Sequence, residues 1–141
     1  MRQRVFRRML AREAGTGANT PAIAAAARRL CERFAGQIAP LIGDAGVAAI
    51  CARSLHLTQG NVPGFAPIGA SAHEDAPFAL LQRSLEQLEP AAAAEAAVAL
   101  LVTVSELLAL FIGESLTTRL LCEAWPDDFA GDITEETATH D

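Results

Sequence analysis

His73-Glu74-Asp75 sets an imidazole beside two carboxylates in a chain of 141 residues, and His56 offers a second imidazole upstream. Such groups could pass a proton or begin a metal site. A metal needs three or four convergent donors, however, and only this triplet is local. The triplet also stands at the approach to a helix opening near Pro77, where carboxylates cap free N–H groups and favour the helix dipole. Capping accounts for it without a site, so an enzyme using His73, Glu74 and His56 ranks third among the functional readings.

Cys31, Cys51 and Cys122 each fall inside an apolar helical pattern, with no CxxC and no His at tetrahedral spacing. They read as reduced, buried thiols of a cytoplasmic protein. The chain also lacks a phosphate-binding glycine loop, HExxH, a paired ExxH and a nucleophile elbow. The expectation is therefore no enzyme, no metal and no cofactor.

The N-terminal segment MRQRVFRRMLAR carries five Arg and no acid. On a helical projection Val5, Phe6, Met9 and Leu10 fall on one side, and Arg4, Arg7, Arg8 and Arg12 on the other. This is a short basic amphipathic helix, suited to a partner groove or to peripheral contact with an anionic membrane surface. A segment this short buries little apolar area by itself. The Gly-rich AGTGANT separates it from the helical body, so residues 1–19 read as an arm and linker. From Glu13 onward six Arg stand against seventeen acids, a balance of -11, which repels phosphate and makes nucleic acid an unlikely partner.

The elements that would hold these residues are all helical. Thr20-Pro21 starts a helix over 21–42, Thr20 as cap and Pro21 at the first position, with Ile23, Ala27, Leu30, Phe34, Ile38 and Leu41 at helical spacing. Pro40 should end or bend its last turn. A second helix, 45–58, places Val47, Ile50, Cys51, Ser54 and Leu55 on one face. Residues 59–77 contain three Gly and three Pro and no period, the mark of a long loop. A third helix, 76–89, carries Phe78, Leu81, Leu85 and Leu88. Glu89-Pro90 opens a fourth, where VALLVTVSELLALFI (98–112) is apolar on most sides. A fifth, 114–125, presents Leu116, Leu120, Leu121 and Ala124, with Arg119 and Glu123 placed to pair along its surface. Residues 127–141 hold six acids and no Lys or Arg, and read as a disordered acidic tail.

Two segments echo each other, Ile42-Gly43-Asp44 and Ile112-Gly113-Glu114. Each reads as an αα-corner: a last apolar contact, a glycine for the turn, and an acid at the start of the next helix. A duplicated pair of hairpins would give that pattern, and so would chance recurrence of Ala-rich helices.

No export signal is read, because Arg residues interrupt the apolar runs. A span over 91–112 would have to bury Glu95 and Glu106 at about 2.5–3.5 kcal/mol each near a bilayer centre. With thirty Ala, eleven Arg and no Lys or Tyr, the composition reflects GC-rich, bacterial-type coding. The expected fold is an all-α compact bundle of about five helices, domain 20–126, with a basic arm and an acidic tail. The leading functional expectation is a non-enzymatic protein–protein interaction or regulatory module that forms a homodimer through apolar helical surface, with Leu101, Leu108 and Trp125 as interface candidates. The alternative is a small-molecule sensor with an apolar pocket under the 59–77 loop, contacted by Phe65, Ile68 and His56.

Overall fold

The computed structural model describes residues 2–61 and 77–130. Among them every element is helical: α1 (Arg2–Ala14), α2 (Thr20–Asn61), α3 (Pro77–Glu86), α4 (Pro90–Ile112), α5 (Glu114–Ala124) and a short π-helical turn, Pro126–Ala130. The protein is an all-α bundle, as the periodicities require.

The opening of α2 differs by one residue from the sequence expectation. Asn19, not Thr20, accepts the free N–H of Ala22, at 3.0 Å. The Thr20 hydroxyl instead donates to the Leu88 carbonyl at 2.8 Å, tying the start of α2 to the turn between α3 and α4. Pro40 does not end the helix. The break comes at Gly43 (φ 80°, ψ 165°), which divides α2 into a first arm, 20–42, and a second arm, 44–61. Gly113 repeats this conformation (φ 94°, ψ 156°) between α4 and α5, and its N–H closes α4 on the Ala109 carbonyl at 2.8 Å. A side chain at either position would strain the backbone, so the two echoed glycines are required by the corners they make.

Helices α2 and α4 each pack against α1, α3 and α5 as well as against one another, and form the centre of the bundle. Ile23, Ala27, Leu30, Phe34 and Ile38 of α2 are buried in one core with Leu101, Val104 and Leu108 of α4. Leu81 and Leu85 of α3 and Leu120 and Leu121 of α5 complete it. By length and composition alone α2 and α4 could cross a membrane. In this fold their core stripes pack on one another, as in the central helices of a bundle.

Two terminal segments depart from expectation. The predicted arm is part of the bundle: α1 buries Val5, Phe6, Met9 and Leu10, each at most 3% exposed. A short amphipathic helix is unstable alone, and here its apolar stripe finds α2 and α4. The first residues of the predicted acidic tail also pack, because Asp128 and Phe129 of the π-helical turn are buried. The 59–77 loop begins later than the glycine pattern suggests, since α2 continues to Asn61, and α3 already opens at Pro77; residues 62–76 and 131–141 lie outside the described residues.

Candidate functional site

Leu41 and Phe111 continue the core stripes of their own helices, three residues after Ile38 and Leu108. Both side chains are nevertheless bare, Leu41 at 53% and Phe111 at 74% exposure, and Leu110 stands out at 82%. Among the described residues no neighbour covers either side chain before the glycine turns the chain. The apolar pairs Leu41-Ile42 and Phe111-Ile112 occupy the same place before the two corners.

Between these corners lies an apolar groove of about 780 Å³. One wall is α2, with Ile42 at the end of its first arm and Gly46, Ala49 and Ile50 on one face of its second; the other is α4, with Leu107 and Phe111. Gly46 leaves room for the Ile42 side chain, because a Cβ there would lie 3.0 Å from Ile42 Cβ and Cγ1. The exposed Ala45, Ala49 and Ala52 extend this small-residue face along the second arm of α2. Arg53, also lining the groove, is exposed, as is Glu106 on α4, and neither makes an ion pair among the described residues.

The interface candidates from the sequence are elsewhere. Leu101 and Leu108 are buried in the core, because they carry the α4 stripe that meets α2. Trp125 is buried in an aromatic cluster: its ring centroid lies 6.2 Å from Phe6, 5.8 Å from Phe34 and 6.1 Å from Phe129. None of the three is available to a second molecule without unfolding this one.

The Arg face of α1 is partly engaged within the chain. Arg7 pairs with Glu95 of α4, and that partner holds the Glu95 carboxyl below its ordinary pKa. Arg12 pairs with the buried Asp128, and Arg2, outside the predicted set, pairs with Glu114 and donates to Thr118 Oγ1 at 3.2 Å. Arg4 and Arg8 are exposed and make no ion pair among the described residues. The apolar face of α1, Val5, Phe6, Met9 and Leu10, is buried in the core. Arg119 and Glu123 are not paired.

His56 is exposed on the second arm of α2, whereas Phe65, Ile68, His73, Glu74 and Asp75 lie outside the described residues. Among the described residues no three His, Cys, Asp or Glu side chains converge as metal donors. The three thiols are free. Burial pushes the Cys31 thiol pKa up strongly, with smaller contributions from Cys51 and Glu32, and burial pushes Cys51 up to about 11. Cys122 is raised by burial and by Glu123. At neutral pH all three are protonated, poor nucleophiles.

No family model matches the chain, and neither the curated proteins nor the solved structures contain a significant match. Function is therefore read from the groove and its chemistry.

Proposed function

We propose that the chain is a non-enzymatic protein–protein interaction module of the cytoplasm that self-associates as a homodimer through the patch at the two glycine corners. The observation that carries this reading is that one patch bears both a knob and a hole. Leu110 and Phe111 protrude, and beside them the α2 wall is cut back to Gly46 and Ala49. A twofold axis through the patch seats the Phe111 ring of each copy in the groove of the other, which is what an isologous interface requires. Arg53 lines the groove and is exposed, a charge available to an acidic group of a second copy. A bare aromatic over small residues also has the make-up of an interface core, where aromatics are enriched and charge is depleted.

Multi-angle light scattering on the full chain tests the reading. The parent is expected at dimer mass and Leu110→Glu at monomer mass, with unchanged far-ultraviolet circular dichroism. A parent that stays monomeric at the highest soluble concentration refutes the homodimer, and a Leu110→Glu variant that stays dimeric moves the interface away from this patch.

A further inference from the structure

On the other side of the second arm of α2, a void and a surface cleft share one wall. The void, about 20 Å³, lies between both arms of α2, α3 and α4; its lining is apolar apart from the thiols of Cys31 and Cys51, and it includes Phe34, Leu81 and Val104. The cleft, about 280 Å³ and open, is lined by Gly36, Ala39, Asp44 and Ala48. Ala35, Val47 and Phe78 line both. Val47 is buried, Ala35 is small, and Phe78 of α3 is half-buried, so Phe78 is the large movable group in the partition. None of these residues lines the groove at the glycine corners.

From this arrangement we infer a second binding site, in which the cleft and the void form one pocket for a small hydrophobic amine and the Phe78 ring is its door. The void alone has room for a water-sized occupant, and its apolar lining offers water too few partners to hold it. A ring or short alkyl chain enters by displacing Phe78 and burying itself against Phe34, Val47 and Leu81. The cleft supplies the polar end: Asp44 is its one charged lining residue among those described, it is exposed at the mouth, and the chain as a whole carries a charge of -6. An apolar wall with a single carboxylate selects an apolar body with a cationic head over a neutral or anionic equivalent. The site also has a built-in reporter. Phe34 lines the void and its ring lies 5.8 Å from that of Trp125, the only tryptophan, so an occupant that shifts Phe34 changes the indole surroundings.

The test is a titration of the full chain with benzylamine, toluene and benzoate, followed by Trp125 emission. Benzylamine is expected to give a saturable change, toluene a weaker one and benzoate none. Asp44→Asn, an exposed change, is expected to lower benzylamine affinity about fivefold while leaving toluene unaffected, a loss of about 1 kcal/mol. Phe78→Ala opens the partition and is expected to retain binding, whereas Ala35→Leu fills it and is expected to abolish the response with the thermal midpoint preserved. The absence of a saturable change with benzylamine in both parent and Phe78→Ala overturns the site. Equal affinities for benzylamine and toluene that Asp44→Asn leaves equal overturn the assignment of a cationic ligand.

Discussion

Phe6 and Phe111 are the same residue type on two helices of one bundle, with opposite fates. Phe6 is fully buried, packed edge-on to Trp125 at 6.2 Å and to Phe129 at 5.4 Å, while Phe111 is 74% exposed. Around Phe6 three separate segments converge, α1, α2 and the π-helical turn, and ion pairs from Arg7 and Arg12 fasten the outside. Around Phe111 two helices end at glycine corners, and nothing among the described residues crosses over them. The contrast teaches that helical spacing determines which face a residue occupies, whereas chain topology determines whether anything covers that face.

The largest effect should come from the covered end. Phe6→Ala removes a wholly buried ring that links α1 to the aromatic cluster, and a cost of about 3–5 kcal/mol is expected. The urea midpoint reads it, with the parent as reference. A loss below about 1 kcal/mol would mean that α1 is a loosely held arm after all and would erase the contrast between the two ends.

A smaller effect tests the dry interior between them. The unfolded chain releases the Cys51 proton near the ordinary 9.0, and the folded chain holds it up to about 11 because burial disfavours the thiolate. Folding thus keeps a proton that unfolding gives up, so stability is full below pH 9, falls as pH rises through 9 to 11, and levels off above. Cys51→Ala should flatten part of that fall, on the order of 2 kcal/mol. Thermal midpoints between about pH 8 and pH 11 measure the slope, and an unchanged slope in the variant would show that Cys51 meets water.

Much of the fold was legible from spacing alone. The 3.6-residue period marks α2, α3, α4 and α5, and the Ile-Gly-acid echo marks both corners, because a positive φ leaves glycine little competition. The site was not legible in the same way. Leu101 and Leu108 look like surplus apolar surface on a helix greasy on most sides, yet they are core, and Phe111 looks like core by its distance from Leu108, yet it is bare. Periodicity carries no information about where a neighbouring helix stops. The α1 stripe was equally visible, Val5 to Leu10, but the partner that buries it lies in α2 and α4, a long-range pairing that no local window contains. One signal could have been weighed more heavily: a pair of large apolar residues directly before each corner glycine, where the chain must leave the layer that would cover them.

The smallest expected effect is the most discriminating. Phe111→Ser changes a residue whose ring touches little of its own chain, and a monomer should lose no more than about 0.5 kcal/mol by it. The comparison belongs at two protein concentrations, because a folded homodimer gains stability by mass action whereas a monomer does not. In dilute solution parent and Phe111→Ser should melt together. As concentration rises the parent midpoint should climb and that of the variant should stay level, so the gap between them measures what the second copy contributes. If the two already differ in dilute solution by more than about 1 kcal/mol, Phe111 is serving its own fold, and the bare corner is a continuation of the core rather than its opposite.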